Sequence, residues 1–153
     1  MSLDVEWQTF AALSRRDLYD VLRLRQMIFI VEQRCAFADA DGFDIEAVHA
    51  LGRSQAGELV AVARLLPPGC KYPMPSIGRL AVAKHARGSG HARTMVASAL
   101  SEVERRHPGL PIRLDAQIHL ERLYASFGFG RVGEPFDEDG ILHVSMQRAA
   151  AQA

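Results

Sequence analysis

The chain has 153 residues, enough for one sizeable core and most simply a single domain over 1–153. Eighteen Lys and Arg balance eighteen Asp and Glu, so bulk charge points to neither nucleic acid nor an anionic membrane surface. No apolar run nears the ~20 residues that span a bilayer. M-S-L-D-V-E-W does not read as a secretory leader, and Cys35 and Cys70 make no disulfide framework, so a cytoplasmic protein is expected.

Val5, Trp7 and Phe10 suggest a weak first strand. Ser14-Arg15-Arg16-Asp17 has the form of a helix cap, with an acid three residues after the serine. Behind it Leu18, Val21, Leu22, Arg25, Ile28 and Phe29 fall at helical spacing. The segment 30–46 shows no period, and its Asp39-Ala40-Asp41-Gly42 predicts a turn. Ala47 to Arg53 and Glu58 to Leu66 read as strands joined by Ser54-Gln55-Ala56-Gly57. After a proline-rich loop, Ile77 to Ala83 is a third apolar strand.

Next comes A-R-G-S-G-H-A-R-T-M at 86–95, and then a helix face of Ala92, Met95, Val96, Ala99, Leu100 and Val103. Ile112, Leu114 and Ala116 alternate as a strand. Leu120 to Phe127 reads as a short helix stopped by Gly128. Two strands are expected around Asp137-Glu138-Asp139-Gly140, with Leu142, Val144 and Met146 facing a core and His143 the opposite side. These elements imply a mixed, largely antiparallel α/β (α+β) sheet of about six or seven strands, with helices on both faces.

The two glycines of A-R-G-S-G-H-A lie between a strand and a helix expected to begin near Gly88. A Walker lysine is absent, and so is the third glycine of a dinucleotide fingerprint. A helix start nevertheless leaves about four N–H groups unpartnered and carries partial positive charge. Glycine lets an anion approach closely, and Arg87 adds a full charge. This is the chemistry of a pyrophosphate site, although an ordinary strand-to-helix turn would use the same residues.

The arrangement resembles the acyl-coenzyme A motif of the GNAT acetyltransferase superfamily, [RQ]-x-x-G-x-[GA], through Arg87, Gly90 and Ala92. Tyr124, Gly128 and Phe129 match the Y-x-x-x-G-F part of a second GNAT motif. Gln117 and Leu120 stand where that motif usually has Asn and Ala. Arg25, the run from Ile28 to Cys35, 39–42, 115–117 and 138–143 further resemble the ElaA-type branch, in which Gln117 is expected. The resemblance implies direct acetyl transfer from acetyl-coenzyme A to the amine of a small molecule or peptide, without a metal.

It places the pyrophosphate on the N–H groups of Arg87, Gly88, Ser89, Gly90, His91 and Ala92. The pantetheine arm would run along Leu80, Ala81 and Val82, whose strand splays from its neighbour on the Gln117 side, and Gln117 would join the cofactor-binding residues. An N–H near Val82 would polarise the thioester carbonyl, and Tyr124 would protonate the leaving thiolate. The base is open among Glu32, His49, Glu138, His143 and a water relay. Dimerisation is open too.

An acyl-cysteine at Cys35 lacks an activating histidine motif. Aligned as a calcium loop, 37–48 would need acids at Phe37 and Val48. A coenzyme A-binding module without turnover is the main alternative. An acyl-homoserine-lactone synthase ranks lower, since those chains are longer and carry a tryptophan missing here.

Overall fold

The computed structural model describes residues 2–150. Its first strand, β1 (Asp4–Thr9), leads into α1 (Arg15–Arg25), where the Ser14 hydroxyl accepts the Asp17 N–H at 2.9 Å. The helix does not end at Arg25. It widens into a π-helical segment, Gln26–Glu32, with Gln33 N–H bonding Ile28 O and Cys35 N–H bonding Ile30 O. A turn and a short 3₁₀ segment, Phe43–Ile45, follow, Gly42 taking the left-handed φ of 90° that this turn requires.

Strands β2 (Val48–Arg53) and β3 (Leu59–Leu66) form the expected hairpin, and β4 (Ser76–Val82) pairs with β3. The helix after the glycines, α2 (His91–Arg106), begins three residues later than Gly88, because Lys84–Ala86 first makes a 3₁₀ turn. Then come β5 (Ile112–Gln117), the one-turn α3 (Glu121–Ala125), β6 (Gly130–Arg131), β7 (Phe136–Glu138) and β8 (Ile141–Arg148).

The sheet has eight strands, not six or seven, in the order β1-β2-β3-β4-β5-β8-β6, with β7 on another stretch of β8. The two-residue β6 escapes any period-2 pattern. All pairings are antiparallel except β4–β5, which is parallel and registered only at Ser76 and Arg113.

Both faces of β3 are covered, so Val60 to Leu66 is buried without alternation. On one face Val21 and Ile28 pack on Leu51, Val62 and Ala81. On the other, Met95 meets Ala50, Ala61 and Ala63, while Val96, Ala99 and Val103 cover Ile77, Leu114, Val144 and Met146. Leu142 departs from the expected core pattern and is exposed, because it pairs with Asp137 beyond the end of β5.

Six charges hold the unperiodic 39–46 segment to this framework. Arg25, buried on the core side of α1, bonds Asp39 at 3.0 Å and Asp44 at 2.8 Å. Arg64 of β3 bonds Asp41 at 2.6 Å and Asp44 at 3.0 Å. Arg79 of β4 reaches Asp39 at 2.8 Å and Asp41 at 3.2 Å. Burial alone would raise the Asp44 carboxyl, but the bonds and charges of Arg25 and Arg64 outweigh it and hold the group below its ordinary range. Asp41 is lowered as well, by Arg64 and Arg79 against the same desolvation.

Groups with depressed folded-state values stabilise above their unfolded pKa of ~3.9, and that contribution is lost as pH falls toward the folded values. Asp44→Ala takes one shared carboxylate from two buried guanidinium groups that keep Asp39 and Asp41, so urea unfolding at neutral pH should show a loss of about 3 kcal/mol, the low end for breaking a buried pair. Its stability should also decline less steeply with acid than that of the native protein.

Candidate active site

Beyond Ser76 and Arg113, β4 and β5 separate, and a cleft of about 790 Å³ opens between Leu80–Val82 and Ala116–Gln117. That volume suits a large organic ligand. One wall carries a bulge. Between the pairs Val62–Ala81 and Arg64–Gly78, the single residue Ala63 faces both Arg79 and Leu80. Arg79 takes a left-handed φ of 52°, unusual for a side-chain-bearing residue, and its ion pairs to Asp39 and Asp41 hold it there.

At the start of α2, Gly88 and Gly90 have φ of 88° and 78°, and a Cβ at either would meet no atom within 4 Å. Open space beside both glycines suits close approach by a ligand. Among the described residues, no acceptor is found for the N–H groups from Gly88 to Ala92. His91 is buried and lines the cleft, whereas Ser89 is exposed outside the cleft lining. Arg87 is engaged rather than free. It donates to Val82 O at 2.9 Å and grips Glu32 at 2.7 and 3.0 Å.

That grip weakens the case for Glu32 as a base, since its bonds to Arg87 pull the carboxyl down. His49 lies outside the cleft lining. It is buried, with Nε2 2.9 Å from Asp44 O, and burial lowers its pKa. Glu138 and His143 do line the cleft, as does Tyr124. The Tyr124 ring packs edge-on against Phe129 at 5.9 Å, and burial keeps its phenol protonated well above the ordinary range.

Two polar groupings in the cleft have partners that show only in three dimensions. Gln117 does not stand free; its amide exchanges hydrogen bonds of 3.0 and 3.2 Å with Gln33. Asp115 accepts from Tyr72 and Ser145, both at 2.5 Å, with Lys71 at 3.4 Å. Both lie in segments quoted for the ElaA resemblance, but Tyr72 sits in a proline loop without any period. Among the described residues, no group of three His, Cys, Asp or Glu side chains is placed to hold a metal, and no helix is long and apolar enough to cross a membrane.

Comparison with known proteins decides the family. The model of the acetyltransferase (GNAT) domain matches residues 42–150. The chain belongs to the GNAT acetyltransferase family. A UPF0039 protein of Synechocystis is 43% identical over 146 residues, covering 95% of each chain. Protein ElaA of Escherichia coli is 39% identical over 97% of this chain and 99% of its own. An acyl-CoA N-acyltransferase structure from Pseudomonas aeruginosa superposes with a TM-score of 0.91 at 37% identity, covering 97% of this chain and 100% of that one. The chain thus shares its mixed sheet, and its ElaA-like character, with these relatives.

The Tyr72 phenol is pushed up to about 12 by burial and by the Asp115 carboxylate that accepts its hydrogen. In tyrosinate absorbance, the difference between native protein and Tyr72→Phe should therefore titrate near pH 12. In an Asp115→Asn background, that difference should move down toward the ordinary value of ~10.

Proposed function

We propose that this GNAT protein transfers the acetyl group of acetyl-coenzyme A directly to the amine of a small molecule or peptide, in the cytoplasm, with Tyr124 as general acid. The observation that carries the reading is a single continuous cleft. It joins the unpartnered N–H groups of Gly88 to Ala92 to the Tyr124 hydroxyl by way of the splayed strands β4 and β5.

The pyrophosphate would sit on those N–H groups, where the helix dipole favours negative charge. The pantetheine arm would take up the strand edge of Leu80, Ala81 and Val82 that β5 leaves unpaired. The thioester would then reach the bulged part of β4, where a backbone N–H can stabilise a developing oxyanion. Tyr124 supports the last step because desolvation keeps its proton in place until a thiolate appears beside it. Because Arg87 is neutralised by Glu32, anion binding at the loop rests on backbone dipoles more than on net charge.

Calorimetry with acetyl-coenzyme A should give micromolar binding, abolished by Gly90→Glu, which sets a carboxylate among the N–H groups. Thiol release with a panel of primary amines should fall about 10²-fold in kcat for Tyr124→Phe with binding retained. No binding by the native protein would overturn the assignment. Binding without turnover, insensitive to Tyr124→Phe, would mark a coenzyme A-binding module instead.

A further inference from the structure

The turn between β7 and β8 brings two proton-accepting groups to the acceptor side of the cleft. His143 is the register partner of Gln117 at the open end of β5, and it also pairs with Phe136 on β7. The Phe136 ring stacks on the imidazole at 5.9 Å and 26°, which fixes the plane of the ring. His143 is buried, whereas Glu138 is half-exposed.

The tautomer follows from its partners. His143 Nδ1 lies 2.8 Å from Ile141 O, and a carbonyl oxygen can only accept, so Nδ1 carries the hydrogen. In the neutral ring Nε2 is then a bare lone pair. The atom facing it, at 3.3 Å, is Glu138 Oε2. Two acceptors held face to face repel unless a proton lies between them. Both members line the cleft, so a proton taken up at Nε2 would lie between them.

Two other carboxylates lining the cleft are committed elsewhere. Glu32 holds Arg87, and Asp115 is saturated by Tyr72, Ser145 and Lys71. The Cys35 thiol donates to Asp139 O at 3.1 Å. Besides Glu138, the titratable groups of the cleft lining include Asp139, Cys35, His91 and His119, while Gln33 and Gln117 contribute only neutral amides.

We propose that His143, backed by Glu138, is the general base that deprotonates the acceptor ammonium. The inference rests on the acetyl-transfer reading above. The ammonium gives one proton to Nε2, forming an imidazolium beside the Glu138 carboxylate. The freed lone pair attacks the thioester carbon, so a C–N bond forms and the C–S bond breaks. Sulfur takes the Tyr124 proton, and the second nitrogen proton restores the Tyr124 phenol. The proton on His143 leaves to water past the half-exposed Glu138. Ammonium and thioester thereby become amide, thiol and one released proton.

The test uses acetyl-coenzyme A with a panel of primary amines, following thiol release across pH. His143→Gln should lower kcat about 10²-fold near neutral pH, with acetyl-coenzyme A affinity unchanged by calorimetry. That deficit should shrink at alkaline pH, where the amine arrives already deprotonated. Glu138→Gln, on an exposed turn that tolerates change, should show a smaller deficit with the same pH trend, which covers the case that the buried variant folds poorly. Wild-type rates in both variants, or a deficit equal at every pH, would overturn the base. A native protein that binds acetyl-coenzyme A but acetylates no amine would instead overturn the acetyl-transfer reading, and the base with it.

Discussion

The structure depends on the mutual neutralisation of Arg25, Arg64 and Arg79 by Asp39, Asp41 and Asp44. Charges this deep are costly to desolvate, and each is tolerable only with its partners in place. Their geometry is therefore demanding. The network ties α1, β3 and β4 to a loop with no apolar period of its own, and Phe43 adds a contact under the Arg64 guanidinium at 5.9 Å. It also holds the left-handed Arg79, and with it the bulge that turns the β4 wall toward the cleft. Structural charge and site geometry are thus one problem here.

A second ionic link works at the opposite end of the cleft. Arg87 joins the glycine loop to the π-helical segment through Glu32 and to the strand end through Val82 O. The Gln33–Gln117 amide pair adds a neutral tie from that same segment to β5. The widened helical turn is therefore anchored to both arms of the splay. A regular continuation of α1 would rotate Glu32 and Gln33 by a large fraction of a turn and break both links.

Much of this was legible in the chain. Ser14 and Asp17 announced the first helix, the face of Met95, Val96, Ala99 and Val103 announced α2, and alternation at Ile112, Leu114 and Ala116 announced β5. Arg25 was legible only as a misfit, a charge within an apolar stripe. Its partners lie 14 and 19 residues on, where no period shows that Asp39 and Asp44 fold back onto it. The two-residue β6 and the outward Leu142 were hidden because local pattern cannot report where a neighbouring strand ends. At the site, Gly90 and Tyr124 stood out by motif. Glu32 and His49 were separated from His143 only by three-dimensional partners, since hydrogen-bond commitments leave no mark on residue type.

The single point of pairing between β4 and β5 bears also on how the chain reaches its fold. Strands β1, β2, β3 and β4 pair in sequence order, so most of that half needs only short loop closures. β5 and β8 close the other half within about forty residues of chain. The two halves meet through one long connection containing α2 and one register position. Local contacts are entropically cheap to form and long closures slow. Each half-sheet can therefore assemble on its own contacts, with α2 packed across both, so that the cleft is also the seam between the two halves of the sheet.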